Sequence, residues 1–354
     1  MLFVVRQRKW PRSFPLRSKA TGDPRDAICL GDGCRHRARI CSRRSSDPRI
    51  DGRITSGLIV KARLAEMAAA LQASDQYKVL RRLGPWLPRE VPEGVKVRQG
   101  LVVDVETTGL DPLHDEIIEL AMVPFTYGLD GQIYDVGEAF DRLRQPAEPI
   151  PPEITAITGI DDAMVAGKAI DPAEVASFAA PAAIVIAHNA AFDRRFLERY
   201  SEVFTTKAWA CSMSQVDWTS EGFEGAKLAY LAMGAGFFYD RHRAGHDCLA
   251  TIELLGAELP RSGVSALSQL LDRARRPTFR IWAENAPFDL KDALKARGYR
   301  WNAEGNAQPR AWYIDVPEAL KEAELSYLKS EIYKRDIELL TQRIDAYDRF
   351  SNRC

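Results

Sequence analysis

A chain of 354 residues, 46% hydrophobic and 28% charged, is long enough for two or three domains and has the balance of an ordinary globular protein. Its 49 Lys/Arg cancel its 49 Asp/Glu, but residues 1–53 hold 14 basic against 5 acidic groups, so the remainder is net −9 and is not drawn to nucleic acid by overall charge. No apolar run approaches the ~20 residues of a membrane span, the opening Met-Leu-Phe-Val-Val is too short for a signal-peptide core, and six scattered cysteines make no disulfide framework, which predicts a reduced, cytoplasmic protein.

Residues 1–57 read as a basic, disordered extension rich in Arg, Ser, Pro and Gly. Cys29, Cys34 and Cys41, with His36 between them, lack paired C-x-x-C knuckles, and no zinc site is expected there. The extension is either a basic tail that touches nucleic acid or a segment upstream of a start at Met67. Residues 58–95 read as helix and linker. Leu58, Ile59, Leu64, Met67 and Leu71 recur near helical spacing, Tyr77–Leu83 continues the pattern, and Gly84, Pro85, Pro88, Pro92 and Gly94 break it. Such a helix either packs on the back of the domain that follows or binds a partner.

Residues 96–258 form the main domain. Residues 99–106 are a strand ending in a turn at Gly109-Leu-Asp-Pro112. Ile117–Val123 and Gln132–Val136 are the second and third strands of an antiparallel meander. A short helix near Glu153–Ile157 follows Pro149, Pro151 and Pro152. Ala182–His188 is a fourth strand, and Asn189–Tyr200 a helix with Asn189 as N-cap. Lys207–Val216 is a fifth strand and turn, and Lys227–Met233 and Arg243–Gly256 are helices. Residues 259–277 are a linker helix. Residues 278–354 form a small α+β module: a strand at Phe279–Trp282, a helix at Phe288–Arg297 and a hairpin at Gly298–Trp301 and Ala311–Ile314. A long helix then runs from Pro317 to about residue 347. Its Leu325, Leu328, Ile332 and Leu339 follow heptad-like spacing, suited to packing on the main domain or to a dimer seam. Trp282, Trp301 and Trp312 are assigned to the module's core rather than to base stacking.

The main domain's first strand carries the chemistry. Leu101, Val102, Val103 and Val105 make it a buried strand, while Asp104 and Glu106, two apart, point to one face. Side-by-side carboxylates at the end of a core strand repel each other and lose hydration, and divalent cations such as Mg²⁺ or Mn²⁺ offset both penalties. The alternative is an edge strand that happens to be acidic. Two further acids sit where elements begin: Asp193, in the first turn of the helix after His188-Asn189, and Asp247, five residues after His242 and leading into the helical stretch Cys248–Leu255.

The order Asp-x-Glu, Asn-x-x-x-Asp, His-x-x-x-x-Asp resembles that of the DEDDh 3′–5′ exonucleases, the DnaQ-like proofreading family, over roughly residues 98–258. Ile154–Ile160 is similar to that family's segment between the first two motifs. The resemblance implies a three-layer ribonuclease-H-like α/β fold with a mixed sheet. It implies that Asp104, Glu106, Asp193 and Asp247 hold two divalent cations, with Asp104 bridging them, and that His242 is the general base. His246 adjoins Asp247 and is read as a surface or capping residue. Position 243 is Arg, which sets aside the tyrosine-based branch of the family. By the same resemblance, Thr107, Thr108, Gly109 and Leu110 meet the terminal nucleotide, with Asn189 and Phe192 on the opposite wall, while Phe196 packs the helix on the sheet and Arg194 and Arg195 meet phosphates or are solvated.

The expected activity is metal-dependent hydrolysis of single-stranded 3′ ends, DNA rather than RNA. The alternatives are an RNA-trimming exonuclease of the same fold and a non-catalytic nucleic-acid-binding module. The C-terminal helix is the expected contact for a second copy or for a repair or replication partner. The pattern Lys291-x-x-x-Lys295-x-x-Gly298-x-x-Trp301…Trp312 resembles a small uncharacterised module appended to several DNA-processing proteins.

Overall fold

The computed structural model describes residues 52–74, 76–303 and 308–353. The basic extension up to residue 51, including Cys29, Cys34, His36 and Cys41, lies outside the described residues. Helix α1 (Gly52–Ala73) is present, but Leu64, Met67 and Leu71 are exposed rather than packed on a neighbour. The helix expected to continue through Tyr77–Leu83 is replaced by extended chain with a two-residue strand, β1 (Arg81–Arg82). The reason lies in its backbone partners. Arg81 N–H donates to Gly236 O and Leu83 N–H to Phe238 O, while Leu83 and Trp86 lean on the main core.

The main sheet follows. Its strands are β2 (Val97–Thr107), β3 (Ile117–Gly128), β4 (Ile133–Val136) and β5 (Phe140–Leu143). Three short helices, α2 (Pro152–Thr158), α3 (Asp162–Val165) and α4 (Pro172–Ala179), lead to β6 (Ile184–Ala187), α5 (Ala190–Tyr200) and β7 (Trp209–Cys211). The spatial order is β4-β3-β2-β6-β7, with β5 also on β3. β2, β3 and β4 are antiparallel, and β6 and β7 add in parallel. After α6 (Leu228–Gly234) and β8 (Phe237–Phe238), which pairs with β1, come α7 (Ala244–Gly256) and α8 (Ala266–Arg275).

The alternation of β2 decides the layers. Val102 joins Ala121 and Val123 under Ala244, Cys248 and Ile252 of α7, while Leu101, Val103 and Val105 face Phe196 and Leu197 of α5 and Val175 of α4. The result is the expected three-layer α/β sandwich with a mixed sheet. Gly100 is required by this packing, because a Cβ there would lie 2.3 Å from the Phe125 ring.

The remaining elements are β9 (Thr278–Ala283), α9 (Lys291–Ala296), β10 (Arg300–Trp301), β11 (Trp312–Pro317), α10 (Lys321–Tyr327) and β12 (Thr341–Ile344). They build a second sheet in the order β10-β11-β9-β12. The expected C-terminal helix is present but shorter than its heptad-like pattern suggested. It widens into a π-turn at Leu328–Tyr333 and ends at Lys334, whose φ is 54°. Leu328 and Ile332 are buried with Ile281, Leu294 and Val316, and Leu325 and Leu339 lie alongside, so the heptad-like residues fill the module's own core. The chain that was expected to remain helical instead adds β12 to the edge of β9.

Arg194 ties the C-terminal segment to the main sheet. Its side chain is fully buried, donating to Glu198 Oε1 at 2.8 Å, Arg349 O at 2.6 Å and Tyr347 O at 2.5 Å, and its guanidinium lies 5.4 Å from the Trp209 ring centre. This structural anchoring replaces the phosphate-contact or solvated role expected of it. Removing one partner of a buried, hydrogen-bonded pair costs about 3–5 kcal/mol, so Arg194→Met should lower the unfolding free energy in urea by about that much. A change within about 0.5 kcal/mol, as at an ordinary surface position, would contradict the anchoring role.

Candidate functional site

β2 remains straight through Val105 and then slips register between Glu106 and Thr107, a bulge against β3. Bulges re-aim side chains where a ladder ends. Asp104 and Glu106 stand on the α7 face of β2, and Asp247 enters the same space from the first turn of α7. Ligand oxygens of Asp104, Glu106 and Asp247 lie within 4.8 Å of one another. Asp193 approaches from α5, on the other side of the sheet. It is buried, and its Oδ1 accepts from Val105 N–H at 3.2 Å, which turns it toward the strand.

Asp247 is held on both oxygens. Tyr239 Oη donates to Oδ1 at 2.7 Å, and the His242 amide to Oδ2 at 2.9 Å. His242 sits exposed at the mouth of α7 with φ 62°, a left-handed conformation uncommon outside glycine. His246 is turned away from the carboxylates, with Nδ1 3.1 Å from Asp240 O.

Two further residues position this helix. Glu119, on β3 directly opposite Glu106, is fully buried. It accepts twice from Arg243, at 3.0 and 2.7 Å, and once from Ala244 N–H at 2.9 Å, so a carboxylate sits at the N-terminus of α7 where the helix dipole favours it. Gly245 allows this close docking, since a Cβ there would lie 2.4 Å from Asp141 Oδ2. Glu119, Tyr239 and Arg243 were not identified as site residues from sequence. The available signal was Glu119, a lone acid in the apolar run Ile117–Val123.

The walls follow the chain. Thr107 is buried, its hydroxyl donating to Gly109 O at 2.5 Å, and Thr108 Oγ1 donates to Asp115 Oδ1 at 3.1 Å while accepting from Glu116 N–H. Gly109 passes so close to Asp115 that a Cβ would lie 2.4 Å from its carboxylate. Leu110 projects from this turn, 83% exposed. Across the site, Asn189 holds the N-cap position of α5 with φ 85°, but its side chain makes no capping hydrogen bond, so the capping expected of it does not form. Phe192 is half-buried, 5.0 Å from the Phe196 ring. His188 lies beneath them. Its Nε2 donates to Ala226 O and its Nδ1 pairs with Ser212 Oγ, both at 2.8 Å, and burial pulls its pKa down to about 4, so it is a neutral structural group.

The acids are electrostatically unfavourable as they stand. Burial first, then Asp247 and Glu119, push Glu106 up to about 8, with Arg243 pulling weakly the other way. Burial also raises Asp193 to about 8, against the amides of Asp193 itself and Val105. Asp104 is raised well above the usual carboxylate range by burial and by Asp193, Asp247 and Glu106. Asp247 is raised by burial despite its two donors. Arg243 directs its hydrogen bonds to Glu119 rather than to these groups. Closely packed carboxylate oxygens whose charges repel form a hard donor set that suits Mg²⁺ or Mn²⁺. Asp104, Glu106 and Asp247 could hold such an ion directly, with Asp193 adjoining.

Residues 101–255 match the exonuclease (RNase_T) family model. A protein described as DNA polymerase III subunit epsilon-like, from Rhodobacter capsulatus, is 45% identical over 104 residues, 28% of this chain and 14% of that protein. A PolC-type DNA polymerase III of Caldanaerobacter subterraneus subsp. tengcongensis is 28% identical over 238 residues, 61% of this chain and 16% of that polymerase. The chain thus spans only about a seventh of these relatives' own length. Among solved structures, Exonuclease X in complex with 5′ overhanging duplex DNA aligns with a TM-score of 0.38 at 29% identity, covering 49% of this chain and 98% of that one.

A carboxyl group whose pKa is raised by folding stabilises the folded state while protonated, and loses that contribution as pH climbs from the ordinary carboxylate range through its folded value. For Glu106 and Asp193 that value is about 8. The melting temperature of chelator-treated protein should therefore fall between about pH 5 and about pH 8.5, and Mg²⁺ should restore more of it at the upper end. Glu106→Gln should flatten the slope. A profile indifferent to pH and to Mg²⁺ would contradict the electrostatic reading.

Proposed function

We propose that the domain at residues 101–255, which belongs to the DnaQ-like exonuclease family, removes nucleotides from the 3′ end of single-stranded nucleic acid, DNA in preference to RNA, by divalent-cation-dependent hydrolysis of phosphodiester bonds. The observation that carries this reading is the meeting of Asp104, Glu106 and Asp247 within 4.8 Å, with the exposed imidazole of His242 at the mouth of the same site. A structural or purely binding role gives no reason to gather these charges, which repel one another. The DNA preference rests on the names of the relatives, DNA polymerase III proteins of the PolC and epsilon-like kinds.

In this reading Asp104, Glu106, Asp193 and Asp247 hold two cations, Mg²⁺ or Mn²⁺. When bound, these supply neutralisation of the phosphate charge and activation of water at neutral pH. The chain's own groups do the rest. Tyr239 Oη and the His242 amide fix the carboxylate of Asp247, so its remaining lone pairs face Asp104 and Glu106. His242 takes the proton of the attacking water on an imidazole nitrogen, and its place before α7 lets the side chain swing while Asp247 stays fixed. Thr107, Thr108 and Gly109 present backbone amides to the terminal nucleotide, Leu110 wedges against its base, and Asn189 and Phe192 close the opposite wall.

The test is a 5′-labelled oligonucleotide, DNA or RNA of matched sequence, incubated with the purified chain and Mg²⁺ or Mn²⁺. A ladder shortening from the 3′ end is expected, faster on DNA. It should vanish with chelator and drop by about 10³-fold or more in Asp104→Ala, since a bound cation contributes several kcal/mol to the transition state. Shortening that persists in chelator, or an Asp104→Ala rate equal to wild type, would refute the assignment. His242→Gln should slow hydrolysis by about 10²–10⁴-fold while leaving oligonucleotide affinity unchanged. A loss of affinity instead would make His242 a binding residue.

A further inference from the structure

Tyr239 and His242 belong to the short stretch between β8 and α7, and that stretch has little support of its own. Residues 240–242 are exposed, and His242 holds a left-handed backbone. A strained conformation persists only where its surroundings over-determine it. Among the described residues β8 pairs with no strand of the main sheet; its partner is β1. A two-stranded pairing this short is not stable by itself, so the contacts around it decide whether it forms.

Those contacts come from residues 81–86, which precede the region 101–255 that matches the exonuclease family. Arg81 N–H donates to Gly236 O and Leu83 N–H to Phe238 O, both at 2.9 Å. The Arg82 side chain grips the residues on either side of Tyr239: it pairs with Asp240, and its guanidinium lies 5.9 Å from the Phe238 ring centre. The same segment also holds α7. Arg81 pairs with Glu253 at 2.6 Å, and Trp86 packs on the last residue of that helix, where a Cβ on Gly256 would lie 2.6 Å from the indole. Leu83 and Trp86 lean on the main core, which fixes the segment itself. Residues 81–86 therefore bridge β8 and α7, the elements on either side of the 2.7 Å hydrogen bond from Tyr239 Oη to Asp247 Oδ1.

We propose that residues 81–86 are a positioning brace for catalysis: by tying β8 to α7 they hold Tyr239 on Asp247 and keep His242 at the mouth of the acid cluster. The proposal rests on the exonuclease reading for the roles of Asp247 and His242. Tyr239 and the His242 amide are the two donors that orient Asp247, and both shift together when β8 comes away. The brace's charged side chains pair with Asp240 and Glu253 rather than with the four acids, so it acts through Tyr239 and His242 and touches no reacting atom.

The test uses the full chain and a charge swap. With Mg²⁺ and a 5′-labelled single-stranded oligonucleotide, Arg82→Glu should lower kcat about tenfold and leave KM unchanged, and Arg82→Glu combined with Asp240→Arg should regain most of the rate. Leu83→Pro removes the donor to Phe238 O and should lower kcat by up to about 10²-fold, the scale of a 1 Å misplacement at a reacting centre. Arg82 is exposed, so its variant should melt within about 2 °C of wild type. Native-state hydrogen exchange, read without Mg²⁺, should speed up at residues 237–243 in both single variants and stay slow in β2 and β3. Wild-type kcat in both single variants would overturn the proposal, as would a charge swap that restores nothing or exchange at residues 237–243 that does not change. A raised KM at unchanged kcat would overturn it too, since the segment would then be a substrate contact. Failure of the exonuclease reading would show separately, as wild-type protein that leaves the oligonucleotide intact, and the exchange rates would still decide whether the brace exists.

Discussion

Repulsion among buried carboxylates is the constraint around which this molecule is arranged. Asp104 and Glu106 extend a strand otherwise made of Leu and Val, and Asp193 and Asp247 are brought in by helices from opposite sides of the sheet. Desolvation raises the pKa of all four. A fold left with such a cluster gives up stability there and must recover it in the surrounding core. The site is therefore held from outside, by a dense apolar sandwich and by donors that fix the acids singly.

Glu119 shows how that holding works. It is the most deeply buried acid near the site, yet Arg243 and the first amide of α7 satisfy it. It carries α7, and with it Asp247, onto the end of β2 and β3. Tyr239 and the His242 amide then fix the orientation of Asp247. The left-handed backbone at His242 belongs to the same turn. Strained conformations of this kind persist where surrounding contacts over-determine them, and they cluster at functional sites.

The C-terminal module is joined to the main sheet through Arg194, whose guanidinium satisfies two carbonyls of the last turn and Glu198 together. This places the open face of the second sheet beside α5, the helix that also carries Asp193.

Asp104, Glu106 and Asp247, which the structure brings within 4.8 Å of one another, stood out in the sequence because a charge placed in an apolar run or at the start of a helix is locally conspicuous, whereas the role expected of His242 came from the order of the motifs. The order of strands and helices was legible as well, since periods of two and 3.6 residues are local properties of the chain. Tertiary structure decided the rest. Tyr77–Leu83 has a helical pattern but pairs with Phe238, because a distant strand offers backbone partners that local spacing does not show. The C-terminal helix stops at Tyr333 and its expected continuation pairs with β9, again a non-local choice. Arg194 and Arg195 are sequence neighbours of the same type, yet one is a buried anchor and the other lines a cleft, because successive residues on a helix point about 100° apart. The carboxylates could be identified one at a time from sequence, whereas Glu119, Tyr239 and Arg243 acquire their roles only through contacts between segments far apart in the chain, contacts that form when the sheet closes.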